Sequence, residues 1–279
     1  MSRWNRDFSL FFAVVATVHA GWSQAGSQPY QHLWDIGTKQ LFLSCSGQRH
    51  GAAVILEAGR GRTIADWNKV QLEVARFTEV CSYDRAGLGR SEPRAADVPA
   101  DDPAQSISDL HQLLAIASIK PPYVLVGHSL GGLLVRWYQS KYPDEVQGLV
   151  LLDPLHEEAL WQALDFDPEA ARGISLNPAD LRRSGRLPPR EHLTWHCDIP
   201  LIVLRHGIPI NFPPPLNVLQ PQYEALYVAL DQDLAARSPT GQLRVAEHSG
   251  HFIQIDQPEI TVNAVHDVWT EAENRAKQK

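Results

Sequence analysis

Gly127-His128-Ser129-Leu130-Gly131-Gly132 lies between the apolar run Tyr123-Val124-Leu125-Val126 and the helix-patterned run Leu133-Leu134-Val135-Arg136-Trp137-Tyr138. A Gly-x-Ser-x-Gly at a strand-to-helix junction reads as a nucleophile elbow, in which the serine backbone is strained and its hydroxyl stands exposed above the sheet. Glycines two before and two after the serine let strand and helix approach at the sharp bend. Ser129 is therefore the candidate nucleophile. The pentapeptide alone is a common pattern, and the flanking strand and helix are what give it weight.

Outward from the elbow, apolar runs bounded by turn signals predict strands near Gln40-Ser44, Ala53-Glu57, Val80-Tyr83, Tyr123-Gly127, Gln147-Leu152, Leu201-Arg205 and Leu243-Ala246. Helix patterns fall between them. Asp102-Pro103 opens one with an N-cap and a proline at the first helical position, and Ile107, Leu110, Leu113, Leu114 and Ile116 supply its apolar face. Gln257-Pro258 opens the last, followed by Ile260, Val262, Val265 and Val268. Alternating strands and helices predict an α/β fold, a mostly parallel twisted sheet with helices on both faces. Two stretches break the rhythm. Residues 155–199 exceed what a crossover requires, begin with a helix pattern over Leu155–Ala163, and predict a short inserted cap. His206 to Pro221, with Phe212-Pro213-Pro214-Pro215, is too proline-rich for regular structure and is expected to edge the site.

At 279 residues the chain is long enough for one full core. Its 25 Lys+Arg against 32 Asp+Glu, a formal charge of −7 with no basic run, argues against a nucleic-acid partner. Arg3 and Arg6, the 11-residue apolar run Phe8–Val18 and Val18-His19-Ala20 together have the parts of a secretory signal. The expectation is a leader over residues 1–20, a single domain over 21–279, and an exported, periplasmic or secreted, protein. The run is too short to span a bilayer, and no second one follows, so no stable membrane insertion is expected after the leader is removed. Cys45, Cys81 and Cys197 are an odd number for an exported chain. Cys45 and Cys81 lie in strands that could be neighbours, which leaves two readings open, a disulfide or two small buried hydrophobes.

A serine hydroxyl needs a base to take its proton and a third group to orient that base. His251, after the Ser249-Gly250 turn and the last predicted strand, is the expected base, with His248 as competitor. Asp153, at the end of the strand Gly148–Leu152, is the expected acid, ahead of Glu157 and Asp198. The strand Leu201–Arg205 runs into His206-Gly207 with no carboxylate at all. An oxyanion needs two N–H donors. Leu130, at the start of the helix after the nucleophile, offers one, and Arg60, in the Ala58-Gly59-Arg60 loop after Ala53–Glu57, offers the other. His50, His192, His196 and His206 lack metal-ligand spacing, so no metal and no cofactor is expected. Trp67, Trp161 and Trp195 could line a pocket, although helix packing explains Trp67 equally well.

Taken in order, the Ala58-Gly59-Arg60 loop, Tyr83-Asp84-Arg85-Ala86-Gly87-Leu88-Gly89, the Gly-His-Ser-Leu-Gly-Gly elbow and the Ser-Gly-His251 loop resemble the α/β-hydrolase fold superfamily over roughly residues 37–270. The resemblance implies Ser129, Asp153 and His251 as a triad and Arg60 and Leu130 as oxyanion donors. The expected function is that of a serine hydrolase cleaving a small-molecule carboxylic ester through an acyl-enzyme. Two positions depart from the usual pattern: Ala58 stands where the oxyanion loop often has His, and the acid sits one strand earlier than in many members. Asp84-Arg85 is expected to brace its loop as an ion pair rather than to bind substrate. Amide, lactone or thioester hydrolysis would use the same machinery, and a non-catalytic binding protein on this fold is the reading from a different class.

Overall fold

The computed structural model describes residues 30–94, 102–163, 165–167, 198–214 and 216–278. The expected leader, Cys197, His192, His196, Trp195 and residues 168–197 of the expected cap lie outside them, as does the side chain of Trp161.

Among the described residues, eight strands form one sheet: β1 Tyr30–Asp35, β2 Gln40–Ser46, β3 Ala53–Glu57, β4 Val80–Tyr83, β5 Tyr123–His128, β6 Val146–Leu152, β7 Leu201–His206 and β8 Gln242–Ala246. Their order is β1-β2-β4-β3-β5-β6-β7-β8. The pairs β1·β2 and β2·β4 are antiparallel and the others parallel. The helices are α1 Asn68–Val74, α2 Pro103–Ile116, α3 Leu130–Lys141, α4 Ala159–Ala163, α5 Gln220–Ala236, α6 Ile253–Asp256 and α7 Pro258–Ala276.

The central strands read as unbroken apolar runs because both of their faces are covered. Ala53 and Ile55 of β3 join Leu125 of β5 in a core with α2 and α3, while Val54 and Leu56 join Val124 and Val126 in a second core with α1 and α7. Asp102 caps α2 by accepting from the Gln105 N–H at 2.8 Å, and Ile107, Leu110, Leu113 and Leu114 are buried. Ile116 departs from the expected apolar face. It ends the helix and is 41% exposed.

Three further differences have local causes. β1 is an edge strand exposed along nearly its whole length, so no buried face marks it in the sequence. The helix expected over Leu155–Ala163 begins only at Ala159, because the Leu155 N–H donates to the Ser129 carbonyl at 2.8 Å and His156 Nδ1 accepts from the Glu158 N–H, holding the chain against the elbow first. The proline-rich stretch gives way to a 3₁₀ turn over Leu216–Leu219 and then α5, with Pro221 in its first turn. Cys45 and Cys81 oppose each other across β2 and β4 with Cα atoms 4.1 Å apart, and they form a disulfide rather than two separate buried thiols.

Candidate active site

Ser129 sits between β5 and α3 with φ 53° and ψ −118°, a left-handed backbone that costs on the order of 1–3 kcal/mol and persists only where its surroundings enforce it. Here they do. The Ser129 N–H donates to the Leu152 carbonyl at 3.0 Å, and its own carbonyl accepts from Gly132 and Leu155. A β-carbon at Gly127 would lie 2.4 Å from the Gly131 carbonyl oxygen, and one at Gly131 would lie 2.3 Å from that of Glu57. The glycines are thus a steric condition for folding the strand back onto its helix.

Asp153 follows β6, also at positive φ (42°), with its N–H donating to the Leu204 carbonyl of β7 at 2.7 Å. One carboxylate oxygen, Oδ2, meets His251 Nδ1 at 2.5 Å. The other, Oδ1, meets His206 Nδ1 at 2.5 Å and accepts from the His206 N–H at 3.2 Å. Burial alone would raise the Asp153 carboxyl, but the hydrogen bonds and charges of the two imidazoles outweigh it and hold the group well below the usual carboxylate range. Asp153 therefore stays ionised. His206 Nε2 reaches Glu224 of α5 at 3.0 Å. Burial pulls the His206 imidazole down, yet Asp153 and Glu224 carry it up to about 9, so it is an imidazolium at neutral pH.

His251 lies in the loop between β8 and α6, its side chain about one-third exposed. Asp256 Oδ2 braces that loop by accepting from the Ser249 hydroxyl and the Gly250 N–H, each at 3.2 Å. The elbow's own His128 holds it from below, with Nε2 donating to the His251 carbonyl at 2.8 Å. Burial, aided by His251, lowers His128 to about 4 and keeps it neutral, leaving one N–H for that bond.

The Ala58–Arg60 loop presses on the same place. A β-carbon at Gly59 would lie 3.4 Å from Ser129 Cβ. Arg85 grips the Ala58 and Gly59 carbonyl oxygens at 2.6 and 2.5 Å and pairs with Glu57, which also accepts from Tyr83. In a trans peptide the N–H points opposite the preceding carbonyl, so the grip on Gly59 turns the Arg60 N–H away from Arg85. Leu130 is the first residue of α3, where an N–H has no intrahelical acceptor.

Ser129, Asp153 and His251 line one cavity of about 230 Å³ with Pro154, Leu155, His156, Ala159, Ile210, Tyr227, Leu230 and Asp231. The site thus combines a strained serine hydroxyl, an imidazole held by a buried carboxylate, and a mostly apolar chamber. The other sequence candidates fall elsewhere. His248 is exposed, with its N–H on Gln257, and Asp198 is exposed on the surface. Glu157 pairs with Arg136 and Arg237. Trp67 is fully buried in the core with α1 and α7. Asp84 and Arg85 brace loops, but not as the expected ion pair: Arg85 pairs with Glu57, while Asp84 accepts from the Ile64 and Arg90 N–H groups. Sequence reading missed His206, His128 and all of α5. His206 could be seen only as the residue standing where β7 lacks a carboxylate.

A family model described as the alpha/beta hydrolase fold matches residues 52–184. The chain is 28% identical over 228 residues to the uncharacterized protein YqjL of Bacillus subtilis, covering 80% of this chain and 85% of that one. It is 39% identical over 151 residues to the (lyso)-N-acylphosphatidylethanolamine lipase of Bos taurus, covering 53% of this chain but only 36% of that protein. Among solved structures, the 2-hydroxy-6-oxo-6-phenylhexa-2,4-dienoate hydrolase of Rhodococcus sp. strain RHA1 superposes with a TM-score of 0.60 at 14% identity, covering 87% of this chain and 99% of that one.

Proposed function

The chain is an α/β-hydrolase-fold protein, and from that premise we propose that it is a serine hydrolase cleaving a small carboxylic ester through an acyl-enzyme. The observation that carries this reading is the Asp153 carboxylate 2.5 Å from His251 Nδ1, in the same cavity as a serine at φ 53°. His251 Nε2 takes the Ser129 proton as Oγ bonds to the ester carbon, and Asp153 holds the imidazole in the tautomer that can accept it. The carbonyl electron pair moves onto oxygen, where the Leu130 and Arg60 N–H groups are the proposed donors; losing one such donor typically costs about 3–4 kcal/mol of barrier. Collapse expels the alcohol, which leaves with the proton from His251. Water then attacks the acyl-enzyme by the same steps and frees Ser129.

Export is proposed with this activity. The Cys45–Cys81 disulfide supports it, because such bonds persist mainly in oxidising compartments.

A fluorophosphonate probe tests the assignment. Labelling of the wild-type protein that disappears in Ser129→Ala, together with turnover of a p-nitrophenyl ester, is the expected outcome. Equal labelling of both proteins would remove Ser129 from the mechanism.

A further inference from the structure

Helix α5 covers the cavity with Tyr227, Leu230 and Asp231. Tyr227 and Asp231 are one turn apart, so they share a face. Asp231 is only 4% exposed; it forms a loose ion pair with Arg205 Nε at 4.0 Å, but among the described residues neither its carboxyl nor the Tyr227 hydroxyl has a hydrogen-bond partner. Neighbouring polar groups behave differently. His206 is bonded at both ring nitrogens, and His156 is bonded to Asp233 and to the Glu158 N–H. A side chain as buried as Asp231 is normally hydrogen-bonded, so its carboxyl and the half-buried Tyr227 hydroxyl, lining a chamber whose apolar wall is Pro154, Leu155, Ala159, Ile210 and Leu230 and whose polar side holds Ser129, Asp153, His156 and His251, point to a partner that arrives from outside.

Resting on the ester-hydrolase reading, we propose that Tyr227 and Asp231 are specificity-determining groups that hydrogen-bond a hydroxyl on the substrate. A hydroxyl both donates and accepts, which matches two adjacent O–H or carboxyl groups. Charge favours a neutral ligand over an ammonium. Burial, reinforced by the charge of Asp153, pushes the Asp231 carboxyl up to about 8, and burial with the same neighbour pushes Tyr227 up to about 12, so both are uncharged at neutral pH. Sites built to bond a substrate hydroxyl discriminate strongly against the analogue that lacks it, because their own groups are then buried unpaired.

Matched esters test this on the full chain: p-nitrophenyl 3-hydroxybutyrate against p-nitrophenyl butyrate, and 2-hydroxyethyl butyrate against ethyl butyrate, so that the hydroxyl is placed on either side of the bond. The expected result is a preference of about tenfold or more in kcat/KM for the hydroxylated member of at least one pair. That ratio should fall by about tenfold in Asp231→Leu and in Tyr227→Phe and be largely retained in Asp231→Asn, which still donates and accepts. Fluorophosphonate labelling of each variant confirms that the site has formed. A wild-type ratio near one in both pairs, or a ratio unchanged in Asp231→Leu and Tyr227→Phe, overturns the proposal. Better turnover of p-nitrophenyl 3-aminobutyrate than of its hydroxyl counterpart overturns it as well. Should the wild-type protein neither label nor turn over any ester, it is the ester-hydrolase reading that fails.

Discussion

Asp153 holds two imidazoles with one carboxylate, one on each oxygen, and that sharing separates their roles. His251 is partly open to the cavity, whereas His206 is buried and charged between Asp153 and Glu224. Replacing the carboxylate removes what fixes the His251 tautomer, so Asp153→Asn is expected to lower kcat on a p-nitrophenyl ester by about 10³–10⁴-fold. A loss below tenfold would take Asp153 out of the proposed triad. His206 makes a separate pH prediction. Its pKa is raised from 6.5 to about 9 on folding, so its stabilisation is fully present below about pH 6.5 and is lost as pH rises through 9. The stability difference between wild type and His206→Asn should therefore shrink between pH 6.5 and 9.5 in urea melts, and a constant difference would show that the imidazole is not charged.

Two elements decide the site, the turn into α3 and helix α5. At the turn, the clash of any side chain at Gly131 with the Glu57 and Ala58 carbonyl oxygens is with backbone that cannot swing aside. Gly131→Ala should cost about 1–3 kcal/mol in the urea midpoint and displace the serine, cutting activity as well. On α5, Asp231 has its pKa raised from 3.8 to about 8 on folding, so its ionisation opposes folding increasingly from pH 4 to pH 8. Asp231→Asn is expected to gain stability relative to wild type as pH goes from 5 to 8. A gain independent of pH would mean that the carboxyl is already ionised at pH 5. The stretch of α5 resisted sequence reading for a physical reason. Leu234 and Ala235 face the core with α2 and α3, while Tyr223, Leu226 and Leu230 pack under α4, so apolar residues circle the helix and leave no single stripe.

Across the whole molecule, the sheet buries apolar residues on both faces, and the Cys45–Cys81 bond ties its antiparallel margin to its parallel centre. The bond closes a loop of sequence separation 36, so reduction with dithiothreitol should lower unfolding stability by about 2–4 kcal/mol, measured as a fall in the urea midpoint. An unchanged midpoint would indicate thiols. The α/β architecture, seven of the strands, the elbow and the residues proposed as its base and acid were all legible in sequence, because each rests on local order: apolar runs, caps, and glycines at fixed distance from a serine. The edge strand β1 was hidden because it buries neither face, and the disulfide because strand adjacency is not local information. The pairing of His206 with Asp153, the hold of His128 on the His251 carbonyl, and the placing of Tyr227 and Asp231 in the cavity join residues up to 123 positions apart. Only tertiary structure decided those, since a side chain's charge and its hydrogen-bond partners depend on which distant groups the fold brings within about 3 Å.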